Sequence, residues 1–274
     1  MSEVKTADIV KLRKMTGAGM MDCKNALIES NGDLDRAVDL IRERGKAIAN
    51  KRADREAGEG AALADVTADQ SFGAIVVLNC ETDFVAKNQD FVDLTKSILN
   101  KALDSQPDSL EALLALQIDG RKIADLVMDQ SGVTGEKFEL SAYQFISAPM
   151  VVWYVHPGNK LATIVGFSTK VDERVGKDIA MQVAAMSPVS VDEDDVPEKI
   201  RKQEFEIGRE QARLEGKPEN MLDKIAEGKV KKFIKESTLM NQAFIKDAKM
   251  TIMQYLQGVS KDIKVTGFRR VSLS

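Results

Sequence analysis

Five consecutive residues, Cys80, Glu81, Thr82, Asp83 and Phe84, place a thiol, two carboxylates, a hydroxyl and an aromatic ring at the end of the apolar run Ile75-Val76-Val77-Leu78. A thiol beside acids invites a nucleophile reading. Neighbouring carboxylates suppress the thiolate, however, so a buried strand cysteine is the better assignment. His156 is the only histidine and ends a strand just before Pro157. A catalytic triad or a histidine-rich metal site would need it at the centre, yet no nucleophile or second ligand accompanies it. Gly17-Ala18-Gly19 precedes a helix and so resembles a phosphate cradle. No strand comes before it and no Gly-Lys-Ser/Thr follows, so both phosphate-loop patterns fail. Neither a bound nucleotide nor any other cofactor is expected. Asp83 and Phe84 remain, as contact residues rather than reagents. A Phe at an exposed strand end either folds back into its own core or enters a partner, and the residues alone favour the first, since most such aromatics are satisfied internally.

The elements that position these residues are readable in outline. Ile75 to Leu78 is a continuous apolar run that suits a strand covered on both faces. Thr82 or Asp83 can cap a short helix beginning near Val85. Residues 1–55 read as a small three-helix unit. Thr6 caps the first helix, Gly17-Ala18-Gly19 forms the turn, and Met21, Cys23, Ala26 and Leu27 line the second. Asp33 caps a third, which Gly45 closes. Residues 46–59 are polar, Ala-rich and partly helical and look like a linker rather than core. Within 56–147 a hairpin of 61–66 with 72–80 precedes helices near 89–103, 110–116 and 123–127, then a strand within 135–145. A second unit, 148–187 with 234–274, has strands 150–155 and 161–167 joined through Pro157-Gly158-Asn159-Lys160, then a helix and, late in the chain, a last strand. Strand pair followed by helix occurs in both units. Residues 188–233 read as two antiparallel helices broken at Gly216-Lys217-Pro218, with Ile200, Phe205 and Ile207 zipping onto Met221, Leu222, Ile225 and Val230. The fold class is therefore α+β.

With 274 residues, a net charge of −4 and 30% charged residues, the chain is mildly acidic, which argues against an electrostatic nucleic-acid binder. Two isolated cysteines make no disulfide framework and suit a reducing cytoplasm. No apolar run is long enough to span a membrane, and acidic Glu3 and Asp8 fit poorly with a transit peptide, so the mature chain is expected to begin near Met1.

Leu12-Arg13, the run Thr16-Gly17-Ala18-Gly19-Met20-Met21-Asp22-Cys23-Lys24-Asn25-Ala26-Leu27, Asn31-Gly32-Asp33, the basic Lys46, Lys51 and Arg52, and finally Thr82-Asp83-Phe84-Val85 form a specific set. Together they closely resemble the bacterial elongation factor Ts family, the nucleotide-exchange factors of the translational GTPase elongation factor Tu. That resemblance implies a ubiquitin-associated-like head, a core of two related α/β subdomains and an inserted helical hairpin through which some members form homodimers. It implies that Asp83 and Phe84 enter the GTPase near the Mg²⁺ bound with GDP, flanked by Thr82 and Val85. It further implies partner contacts from Leu12, Met20, Met21, Lys24, Lys51, Gly135 and His156. Elongation factor Tu, GDP-bound or nucleotide-free, is then the expected partner, with no nucleic acid, membrane, metal or covalent step.

Departures from the pattern occur at Thr134-Gly135, which keeps half of an Ile-Gly pair, and at Ser141-Ala142, where a double arginine is common. The chain also stops soon after Val265-Thr266-Gly267-Phe268, where some members continue into a C-terminal helix, so the expectation is that it holds its partner without that contact. A helical adaptor lacking exchange activity and an enzyme using Cys80 or His156 are the rival readings.

Overall fold

A computed structural model describes residues 4–273, and the expected start near Met1, with Glu3, lies outside them. Three helices come first. α1 (Thr6–Thr16) ends at Gly17, whose φ of 72° glycine alone adopts without strain. α2 (Met20–Glu29) follows from Gly19, and α3 (Leu34–Lys51) starts at Asp33, whose carboxylate accepts hydrogen bonds from the N–H groups of Asp35 and Arg36. Ile9, Leu12, Cys23, Ala26, Leu27 and Leu40 bury one another between them.

Two expectations change here. Thr6 is the first helical residue rather than the cap, because Lys5 holds the cap position and contributes no side-chain bond. Gly45 does not close α3. The helix runs on to Lys51, through the first six residues of the expected linker, with Gly45 buried in its interior.

Next come β1 (Glu59–Val66), β2 (Phe72–Cys80), α4 (Asp83–Ala86), α5 (Gln89–Ser105), α6 (Leu110–Ala115), a small ribbon of β3 (Gln117–Ile118) and β4 (Arg121–Lys122), α7 (Ile123–Thr134) and β5 (Glu139–Ser147). β2 pairs with β1 on one side and β5 on the other, both antiparallel, and every residue of β2 is buried. Gly45 of α3 meets Gly132 of α7 where the two helices cross. A Cβ on Gly132 would stand 2.4 Å from the Gly45 Cα, so the contact exists only because Gly132 carries no side chain.

The second half repeats the scheme. β6 (Met150–Val155), β7 (Leu161–Phe167) and α8 (Glu173–Met186) precede the hairpin of α9 (Glu198–Leu214) and α10 (Glu219–Ser237). A two-stranded ribbon, β8 (Ala243–Phe244) with β9 (Asp247–Thr251), then leads to α11 (Ile252–Val259) and β10 (Val265–Ser272). The sheet order is β10-β7-β6, so in both sheets the second strand is central and the third arrives after intervening helices.

Strand alternation sends side chains to opposite faces and explains the layering. Phe72, Val76 and Leu78 pack on Phe91, Ile98, Leu113 and Ile123 of the first helical layer. Ile75 and Val77, with Ala62 and Ala64, face Val151, Ala162 and Ile164 of the other sheet. Val152, Val165 and Phe167 pack on Ile179, Val183, Ile252 and Leu256. The molecule is an α+β stack of helix, sheet, sheet and helix.

The hairpin is present, and its seam keeps the expected Leu222 but otherwise differs from the expected one. Gly208, Ala212, Leu222, Ala226 and Ile234 are buried there, whereas Ile207 and Met221 are exposed. Small residues four apart let α9 approach α10 closely, and this turns Ile207 outward.

Candidate functional site

β2 ends at Cys80, and the chain turns at once into α4. Thr82 caps this single turn, its Oγ1 accepting from the Val85 N–H at 3.5 Å. The turn directs Val85 and Ala86 inward to the first core and leaves Phe84 84% exposed. The reading favoured by the residues alone, a Phe folded back into its own core, is therefore overturned, because starting the helix at Asp83 rotates Phe84 to the outer face. Beside it, the Asp83 carboxylate pairs with the Lys87 ammonium at 2.6 Å. Hydrogen bonding from Lys87, then the charges of Lys87 and Lys160, hold Asp83 below the usual carboxylate range.

Two carboxylates clasp this loop from opposite directions. Glu136, in the segment before β5, accepts from the backbone N–H of Glu81 at 3.1 Å, the N–H of Thr82 at 3.0 Å and the Thr82 hydroxyl at 2.6 Å. Glu81 returns the contact by accepting from the Lys137 N–H at 2.7 Å, and it also binds the guanidinium groups of Arg52 at 2.7 Å and Arg55 at 3.1 Å. Burial pushes the Glu81 carboxyl up, but the bonds from Arg52, Lys137 and Arg55 outweigh it and hold the group at about 2. Gly135 makes the turn that delivers Glu136, ending α7 at a φ of 73°.

Cys80 carries no reactive thiolate. Burial pushes its thiol to about 12, and its Sγ donates to the Thr82 carbonyl at 3.2 Å. The largest charge contributions to that rise come from Glu136 and Glu59 across the fold, rather than from the sequence neighbours Glu81 and Asp83.

The turn between β6 and β7 stands beside the same end of the molecule. Lys160 binds Glu59 at 2.8 Å, and the Asn159 carbonyl accepts from the Ala62 N–H at 2.6 Å. His156 is exposed on this turn, its Nδ1 sharing a hydrogen bond with the Tyr154 hydroxyl at 2.9 Å. Thr82, Asp83, Phe84, Val85, Gly135 and His156 thus gather at one end. Lys51 is exposed at the end of α3, one position before Arg52, whose guanidinium binds Glu81. Met20, Met21 and Lys24 are exposed on α2, and no hydrogen bond or ion pair among the described residues ties them to the loop. Leu12 is fully buried in the core of the three-helix unit and presents no surface to a partner, which corrects its expected role.

The sequence profile of the family described as Elongation factor TS matches residues 81–274, starting at the clasped loop. A protein named Elongation factor Ts from Porphyromonas gingivalis is 54% identical over 273 residues, covering 99% of this chain and 98% of that one. The chain belongs to the elongation factor Ts family. Proteins of the same name from Azobacteroides pseudotrichonymphae and Christiangramia forsetii are 51% and 46% identical, the latter across 100% of both chains.

Within this elongation factor Ts chain, Ser141 is exposed on β5 and tied back to β2. Its hydroxyl bonds the Asn79 side-chain oxygen, while the Asn79 amide donates to the Ala57 and Glu59 carbonyls at 3.0 and 3.2 Å. Where a double arginine is common, this chain therefore has an internal strut. The residues that sequence reasoning left without a role are Glu136, Glu81 and Arg55. They meet Thr82, Lys137 and Glu81 across separations of 54, 56 and 26 positions, and no local pattern encodes such pairings. No helix of the described residues is long and apolar enough to cross a membrane.

Proposed function

We propose that this protein is a guanine-nucleotide exchange factor for elongation factor Tu, acting in translation elongation by binding alone. Phe84 is the observation that carries the reading: a large apolar ring, 84% exposed, on a loop pinned from both sides. An isolated exposed aromatic on a held loop is suited to entering a partner. In this reading Phe84 wedges between helices of the GTPase, and Asp83 disturbs the surroundings of the Mg²⁺ that bridges the GDP phosphates. Weakening that metal's hold lowers GDP affinity. By linkage, the factor then binds nucleotide-free elongation factor Tu more tightly than the GDP form, and incoming GTP displaces it. No bond is made or broken, and the exchange factor is not an enzyme in the covalent sense.

Met20, Met21, Lys24, Lys51, Gly135 and His156 are the proposed secondary contacts, working in the cytoplasm on a soluble partner. The corresponding division of labour is a docking head at 1–55, core halves at 56–147 and at 148–187 with 234–274, and a hairpin at 188–233 available to a second copy. The test is release of a fluorescent GDP analogue from purified elongation factor Tu in excess GDP, with this protein substoichiometric. Catalytic acceleration is expected. An unchanged rate with a matched partner would replace this reading with that of a binding adaptor.

A further inference from the structure

We propose that Glu136 is the positioning residue of the Phe84 loop, holding it in one pose before any partner arrives; the functional half of this inference rests on the exchange reading above. A one-turn helix of four residues has no stability of its own. Its ring would sample many directions if the chain between Cys80 and Asp83 were free, and ordering it would then oppose binding. Glu136 removes that freedom. One carboxylate oxygen takes the N–H groups of both Glu81 and Thr82, and the other takes the Thr82 hydroxyl, whose oxygen still caps the Val85 N–H. All three donors lie within two residues of Asp83. The anchor itself is fixed, since the Glu136 N–H donates to Thr134 Oγ1 at 3.2 Å and the next residue's N–H is held by Glu81. Arg52 and Arg55 complete the clasp from the end of α3 and the residues after it, so the loop is fixed relative to the three-helix unit as well. Charge-assisted bonds to backbone N–H groups are stronger than neutral ones, which gives a single side chain the leverage to set the pose.

The inference separates from a merely structural role in two ways. The first is hydrogen exchange in the free protein. Glu136→Ala should speed deuterium uptake across residues 81–86 by about tenfold while leaving β2 and α5 protected, and Glu136→Gln, which keeps one acceptor oxygen, should fall between the two. Unchanged uptake in the loop, or equal loosening throughout the first sheet, would overturn the proposal whatever the protein does to GDP. The second is a double-mutant cycle on the maximal rate of GDP release at saturating factor. Glu136→Ala alone should lower that rate by several fold with a smaller effect on half-saturation, and in a Phe84→Ala background it should lower it little further. Fully additive losses would mean that Glu136 acts elsewhere. If the unaltered protein does not accelerate release, the exchange reading fails, and the hydrogen-exchange arm alone decides the positioning role.

Discussion

Phe84 and Glu81 stand three positions apart and do different work: one is displayed, the other does the holding. Because Phe84 is 84% exposed, Phe84→Ala should leave the thermal midpoint within the range of an ordinary surface substitution, about 0.5 kcal/mol, while slowing catalysed GDP release by about tenfold. A parallel loss of midpoint and rate would mean that the ring is structural after all. Glu81 gives the acid prediction. Its carboxyl is depressed from 4.5 to about 2, so its contribution to stability is complete above about pH 4.5 and is lost as the pH falls towards 2. Hydrogen exchange at residues 81–86 should therefore accelerate in that window relative to the intrinsic rate, and Glu81→Gln should flatten the effect. The Asp83-Phe84 pair was legible from residue types alone, as an acid and an aromatic at a strand end. Whether the ring faced in or out was not, because that depends on which residue starts a one-turn helix, a choice fixed by Glu136 from more than 50 positions away.

The elements themselves follow local rules closely. The unbroken apolar run of β2, the Asp33 cap and the turn glycines all lie where periodicity and capping put them. The error at Gly45 is instructive, since a glycine near a helix end usually marks the end. Here it marks a crossing, and the decisive neighbour, Gly132, is on another element. The geometry of that crossing is asymmetric. A Cβ on Gly45 would meet the Gly132 Cα at 3.4 Å, whereas one on Gly132 would meet the Gly45 Cα at 2.4 Å. Gly45→Ala should consequently be near neutral, gaining helix propensity of up to about 1 kcal/mol against a tight contact. Gly132→Ala should destabilise by about 1–3 kcal/mol and loosen α3 from α7. Thermal unfolding of the two variants side by side checks this, and equal midpoints would show that the backbones do not meet as described. The hairpin seam was legible only in part for a related reason: Leu222 is buried there as expected, but its other contact residues include the small Gly208 and Ala212, which a search for large apolar side chains passes over.

At the scale of the whole molecule, the hairpin stands apart from the site. Its helices pack chiefly on each other, and its base is stitched by the Val189 N–H to the Ser237 carbonyl at 2.9 Å and the Leu239 N–H to the Ser190 carbonyl at 3.0 Å. Replacing residues 198–236 with a short Gly-Ser linker should leave GDP release unchanged, and light scattering before and after would show whether the hairpin pairs two copies. A lost rate in a folded deletion variant would bring the hairpin into the exchange surface.

That stitched base also governs how the second half can fold at all. β6, β7 and α8 must find β8 to β10 across the whole insertion, and closing a flexible segment of roughly 50 residues would cost on the order of 3 kcal/mol in chain entropy. Because α9 and α10 form an antiparallel pair from neighbouring residues, the segment returns to its own starting point and much of that search is avoided. The hairpin thus acts as a stiff splint between two pieces of sequence that build one core. Breaking it internally, as Ala226→Pro would, should lower the stability of a core it hardly touches, whereas removing it outright should not.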